Sequence, residues 1–144
     1  MSEIGRFEGG CLCGAIRYRA DAPPVRGVIC HCSMCRRHSG APALAFVHFP
    51  AASFAWVAGE PRWYRSSRHA ERGFCATCGS TVAMREEILP DRVQICIGSL
   101  DEPDRVTIDD HVWTTQRVAW FDTRDALPRF PQSSTAVASR ALDD

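Results

Sequence analysis

FCATCGS, residues 74–80, sets two cysteines on either side of a short turn. With Gly79 free to take a positive φ, this C-x-x-C has the shape of a zinc knuckle that needs a second pair of ligands. GGCLCG, residues 9–14, offers one. In an extended strand residues i and i+2 project to the same face, so Cys11 and Cys13 can present two thiolates to one metal. Cys11, Cys13, Cys75 and Cys78 together close a tetrahedron around Zn²⁺ and leave a formal local charge of −2. Backbone N–H groups of the glycine-rich turns offset that charge by hydrogen-bonding the sulfurs. A structural zinc site contributes about 10–16 kcal/mol of apparent binding free energy, comparable with the whole stability of an ordinary domain. The quartet therefore staples the N-terminal hairpin to the middle of the chain. The competing reading is a set of buried or redox thiols.

Around this staple the chain reads as short strands with Gly and Pro punctuation. AIRYRA (15–20), PALAFVHF (42–49), SFAWVAG (53–59), RWYRS (62–66), STVAM (80–84), RVQICIGSL (92–100) and AWFDT (119–123) carry the strand signal. Helical periodicity is weak, and the best short candidates are the turn after Cys32 and the region around Ile88–Pro90. A mainly β single domain is expected over 1–132, with the small, polar segment 133–144 as a flexible tail.

The chain has 144 residues, a formal net charge of zero and eight cysteines. Its length suits one domain that buries roughly 68–70% of its unfolded surface. Neutrality gives no electrostatic footprint for nucleic acid or an anionic membrane. No apolar run approaches the ~20 residues of a membrane span, and MSEIGRFEGG lacks a signal peptide's apolar core. A cytoplasmic protein is expected, in which clustered cysteines mean metal or catalysis more often than disulfides. All 17 basic residues are arginine and asparagine is absent, so lysine Schiff-base chemistry and a Cys-His-Asn triad are excluded.

A second set follows in CHCSMCRRHSG, residues 30–40. Cys30 and Cys32 share a face, and the turn through Ser33-Met34 brings Cys35 round to make a three-point cradle. With the quartet assigned, the one cysteine left is Cys96, in the alternating strand VQICI, which reads as a buried structural thiol. The trio then holds three ligands and leaves the fourth position to water or substrate, as catalytic zinc sites do. Two alternatives stay open: a histidine fourth ligand, His38 or the strand-averted His31, or a redox-active C-x-C-x-x-C with no second metal. Three thiolates leave a formal charge of −1, so the ion is a weak Lewis acid that suits a soft thiolate ligand. The chemistry favoured is sulfur chemistry.

GGCLCGAIRY, CHCSMCRRHSGAP, ALAFVHFP, GEPRWYRSS…ERGFCATCGS, IGSLDEP, HVW and LPRFP, in that order from Gly9 to Pro131, resemble the glutathione-dependent formaldehyde-activating enzyme family, which includes the centromere protein V domain. The resemblance implies an antiparallel β-tent holding two zinc ions. It implies a structural ion on Cys11, Cys13, Cys75 and Cys78 and an open, substrate-facing one on Cys30, Cys32 and Cys35. The implied reaction is addition of glutathione to formaldehyde, classed with carbon–sulfur lyases. A non-catalytic zinc-stabilised binding or thiol/aldehyde carrier module is the alternative.

On this reading the thiol takes the open position, its sulfur attacks an aldehyde carbonyl, and a nearby acid protonates the developing alkoxide. Arg36 and Arg37 either grip carboxylates of a glutathione-like thiol or balance the anionic cysteines, and His38 donates the proton. Ser39 makes the turn into the next strand, with a secondary pocket role. His111, Trp113, Trp120 and Phe121 are expected as packing, His48 and His69 are unassigned, and Glu86-Glu87 is expected as a solvated pair. Partners are a small thiol and an aldehyde.

Overall fold

The alternation in Leu44–Pro50 organises the fold, because this strand is buried on both faces. Val47 and Phe49 point to one side and Phe46 and His48 to the other, all of them buried. The computed structural model describes residues 5–134, and the remainder of the tail expected over 133–144 lies outside them. In chain order the strands are β1 (Phe7–Gly10), β2 (Arg17–Ala20), β3 (Arg26–Cys30), β4 (Leu44–Pro50), β5 (Phe54–Ala58) and β6 (Arg62–Arg65). They continue as β7 (Ala70–Phe74), β8 (Thr81–Glu86), β9 (Arg92–Cys96) and β10 (Asp110–Val112), and one α-helix, α1 (Ser33–Ser39), follows β3.

Two sheets result: β1-β2-β5, and β10-β3-β4-β9-β8-β7-β6. Every pairing is antiparallel except β10 against β3, so the expected mainly β, antiparallel fold is met with one parallel edge. Between the sheets lies a core of Phe7, Ile16, Tyr18, Val47, Phe49, Val82, Ile95 and Leu100. The opposite face of the large sheet carries Val28, Cys30, Phe46, Met84, Cys96 and Val112, against which Cys32 and Cys35 pack. The domain thus has a dry side that holds the sheets together and a second, sulfur-rich side.

Two strand expectations met different physics. Residues 119–123 form turn and coil, because the Arg117 guanidinium donates to the carbonyls of Val118, Ala119 and Phe121 that a ladder would have used. The strand expected over 92–100 ends at Cys96, where Ser99 Oγ donates to the Cys96 carbonyl at 2.7 Å and closes a 3-10 turn over Ile97–Ser99. Strands β1, β3, β7 and β10 were not evident from alternation, since Gly and charged residues interrupt them. The segment around Ile88–Pro90 is a turn.

Gly9 lies where β1 meets both the Tyr18 ring and the strand-like backbone at Leu100. A Cβ there would run into the Tyr18 hydroxyl and the Ser99 carbonyl, whereas Gly98 has open space. Gly9→Ala is expected to lower urea stability by about 1–3 kcal/mol through overpacking, with Gly98→Ala close to neutral. Buried His48 gives a second expectation. Burial, then Arg92 and Arg26, push its imidazole down to about 3 from 6.5. Its folded pKa is below its unfolded one, so the unfolded chain takes the proton first. The contribution is complete above the unfolded value of 6.5 and declines as pH falls toward about 3. Urea midpoints measured from about pH 7 to about pH 4 should fall less steeply for His48→Gln than for wild type.

Candidate metal centres

The quartet forms where the β1–β2 turn meets the β7–β8 turn, so it joins the small sheet to the large one. Cys11 Sγ lies 3.7 Å from Cys13 Sγ, and Cys13 Sγ lies 3.8 Å from Cys75 Sγ. All four sulfurs, Cys78 included, fall within 4.8 Å of one another. A tetrahedron of sulfurs at the Zn–S length of about 2.3 Å has edges of about 3.8 Å, while a disulfide needs about 2.05 Å. The spacing therefore fits a four-coordinate metal, and all eight cysteines are free thiols.

The turns supply the donors that such a site needs. Ile16 N–H donates to Cys11 Sγ at 3.2 Å and Cys78 N–H to Cys75 Sγ at 3.5 Å. Ser80 Oγ accepts from Leu12 N–H at 2.9 Å and lies 3.1 Å from Cys78 Sγ, so one hydroxyl ties both limbs. Ser80, chiefly, holds the Cys78 thiol down to about 5. Gly79 has φ of 79°, as the knuckle shape requires.

The trio is assembled by the end of β3 and the start of α1. Cys30 closes the strand, Cys32 caps the helix by accepting from Cys35 N–H at 3.3 Å, and Cys35 sits in the first turn. Their sulfurs lie within 4.8 Å of one another and all three residues are buried. Strand β7 adds a buried Arg72, whose Nη1 donates to Cys35 Sγ at 3.3 Å and whose Nε donates to Ser66 Oγ at 3.0 Å. Donation from Cys30, then Cys35, drives the Cys32 thiol far down. Donation to Cys32, then Cys35, raises Cys30, and Cys35 goes up to about 12 because sharing with Cys32 and burial outweigh the donation it accepts from Cys30. One negative charge is held easily here, and three demand a cation, as a thiolate metal site does.

A hollow of about 110 Å³ opens beside the trio, walled also by Ala70, Arg72, Met84, Glu86, Trp113 and Gln116. No histidine joins the three sulfurs in a ligand cluster among the described residues. His31 faces away: its Nε2 lies 2.8 Å from His111 Nδ1, and His111 Nε2 lies 3.0 Å from Asp125 Oδ2. This chain of two buried histidines and a half-buried Asp125 straps the segment after β10 to the Cys30–Cys32 turn. His38 lines a different hollow, of about 340 Å³, with Met34, Arg37, Tyr64, Ser66 and Arg72. Arg36 Nη1 donates to the Gln116 carbonyl at 3.4 Å. Ser39 Oγ donates to the Cys35 carbonyl at 2.7 Å and accepts from Ala41 N–H, which makes it a helix-ending turn residue. Cys96 is buried, and burial pushes its thiol up.

Sequence reasoning missed Arg72, Glu86 and Gln94. Glu86 is not part of a solvated pair: it is half-buried, accepts from Gln94 Nε2 at 2.7 Å and lines the trio's hollow. Glu87 alone is solvated, near Arg65. The i, i+2 spacing puts Glu86 on the same strand face as buried Met84, and only the sheet register shows that this face borders the trio. Trp113, expected as packing, packs against the sulfur-rich cluster and also walls the hollow with φ of 57°, a strained conformation for a bulky residue.

A mainly β domain with one four-sulfur and one three-sulfur group that can hold metal ions defines the class. Residues 6–116 match the family model described as glutathione-dependent formaldehyde-activating enzyme, and the chain belongs to that family. It is 38% identical over 78 residues to an uncharacterized lyase of Schizosaccharomyces pombe, covering 53% of this chain and 55% of that protein, so the match spans about half that relative's length. It is 27% identical over 129 residues to a putative glutathione-dependent formaldehyde-activating enzyme of Halomonas elongata, covering 81% of this chain and 80% of the other. A Rhodobacter sphaeroides protein of known crystal structure shares the fold, with TM-score 0.55 and 18% identity over 85% of this chain and 98% of that one. Among the described residues no helix is long and apolar enough to cross a membrane.

The two groups differ in what their loss should do. Cys78→Ser is expected to abolish the cooperative thermal transition, because it opens the junction between the sheets. Cys32→Ser should leave the far-ultraviolet circular dichroism and a cooperative transition in place. Equal damage from both substitutions would contradict this division.

Proposed function

We propose that this chain is a zinc-dependent enzyme of the carbon–sulfur lyase type, joining glutathione or a similar small thiol to formaldehyde or a related aldehyde. The observation that carries the reading is the open trio: three buried sulfurs beside a hollow, with no fourth ligand among the described residues. Family membership and the name of the Halomonas elongata relative support the same substrates, and the name of the Schizosaccharomyces pombe relative supports a lyase. Zinc held by Cys30, Cys32 and Cys35 would lower the pKa of a thiol bound in its remaining coordination position.

The chain's own residues do the rest. The Arg72 guanidinium offsets the negative charge gathered on the cysteines and fixes Cys35. Met84 and Trp113 give the hollow apolar walls beside the trio. Arg37 lines the neighbouring hollow, which meets the first at Met34 and Arg72, and it takes a carboxylate of the thiol there. Eight free cysteines support a reducing, cytoplasmic setting.

The test is exchange NMR on mixtures of glutathione and formaldehyde. Zinc-loaded protein is expected to speed formation and breakdown of the adduct at catalytic concentration, and Cys32→Ser to remove that acceleration while staying folded. Stoichiometric uptake of thiol with no acceleration would favour a carrier instead.

A further inference from the structure

The large sheet carries a row of buried polar side chains that the reaction described so far does not use. Register sets Arg26 opposite His48, His48 opposite Gln94, Gln94 opposite Met84 and Met84 opposite Arg72. Directly opposed residues share a face, so this row runs across five strands on the face that bears Cys30. Gln94 and Arg72 are 2% and 3% exposed, and His48 is 6% exposed, which a sheet does not tolerate without a use or partners for the polar atoms.

At the His48 end the row lines a second hollow, of about 70 Å³, with Phe46 and Trp113 in its walls. A water needs roughly 10–15 Å³ on this measure, so the space suits a molecule of a few heavy atoms and excludes a tripeptide thiol. The two hollows share Cys30, Met84, Glu86 and Trp113. Among the described residues Glu86 is the one carboxyl group lining either of them. Gln94 Nε2 holds its Oε2 at 2.7 Å, and Oε1 has no hydrogen-bond partner among the described residues. Arg92 Nη1 donates to His48 Nδ1 at 3.4 Å, which leaves the neutral ring's proton on Nε2 as a donor.

We propose that the smaller hollow receives the aldehyde and that Glu86, at its junction with the trio's hollow, is the residue that hands the proton to the carbonyl oxygen. The assignment rests on the thiol–aldehyde reaction proposed above. In the forward direction the thiol sulfur forms a bond to the carbonyl carbon, and the C=O π pair moves onto oxygen. The Glu86 carboxyl protonates that oxygen, giving the S-hydroxyalkyl adduct, and the carboxylate left behind takes up the proton that the incoming thiol surrenders. Nothing is oxidised or reduced, and thiol plus aldehyde equals product. Burial favours the protonated form of Glu86, which suits a group that must begin as an acid.

The experiment compares zinc-loaded wild type, Glu86→Gln and Glu86→Asp by exchange NMR with glutathione and formaldehyde, and by calorimetry with glutathione alone. Glutamine keeps an oxygen to accept from Gln94, so the fold should hold, as circular dichroism would verify. Glu86→Gln is expected to bind glutathione like wild type and to lose about 10²-fold or more of the acceleration, with Glu86→Asp retaining part of it. Glu86→Gln that accelerates like wild type overturns the assignment alone. Loss of glutathione binding together with turnover also overturns it, since the role would then be structural. Wild type that leaves exchange at its uncatalysed rate overturns the underlying reaction, and the assignment falls with it.

Discussion

Thiol sulfurs crowded to within 4.8 Å of one another cannot all ionise unless a cation sits among them, and this domain gathers seven in that state. The rest of the architecture follows from where the two groups fall. The quartet lies where the β1–β2 turn meets the β7–β8 turn, and there it ties together the two sheets that enclose the larger core. The trio lies on the far face of the large sheet, with a hollow beside it. One set of sulfurs is spent on holding the chain together, and the other is left with room for a ligand.

The surroundings differ in the same sense. Peptide N–H groups and the Ser80 hydroxyl meet the quartet, which are the donors a tight turn provides without any further chain. A guanidinium from a distant strand meets the trio, and a carboxyl and a strained tryptophan stand beside it. Fixed, uncharged donors suit a site that keeps one composition. Charged and titratable groups suit one whose charge changes as a ligand arrives and leaves.

The metal pattern was legible because each ligand pair is local. Cys11 and Cys13 are brought together by a turn, closed by Gly14 N–H on the Cys11 carbonyl, where an extended strand was expected; the Cys75–Cys78 turn is closed by Gly79, Cys32 caps the helix that carries Cys35, and Cys30 and Cys32 obey the i, i+2 rule. The same rule turned His31 away from the trio, toward His111. Arg72 and Glu86 were not legible, because each reaches the trio from a distant strand and only the register of β7, β8 and β9 brings them there. AERGF in β7 carries a glycine and two adjacent charged residues, Glu71 and Arg72, in its interior, so alternation gave no sign that its arginine is buried. The strand expected at 119–123 failed for a related reason: Arg117, one side chain outside the window, took the carbonyls. Helix α1 was expected as a short helical turn after Cys32, and it runs on to Ser39, where Gly40 in the left-handed region ends it.

The most direct test of the account is X-ray absorption at the zinc edge on the zinc-loaded chain. Seven sulfurs shared between two ions predict an average of about 3.5 sulfurs per zinc at about 2.3 Å, with a lighter atom completing the shell, rising to about four when glutathione is added. One zinc per chain with four sulfurs, and Cys30, Cys32 and Cys35 metal-free or joined as a disulfide, would contradict it.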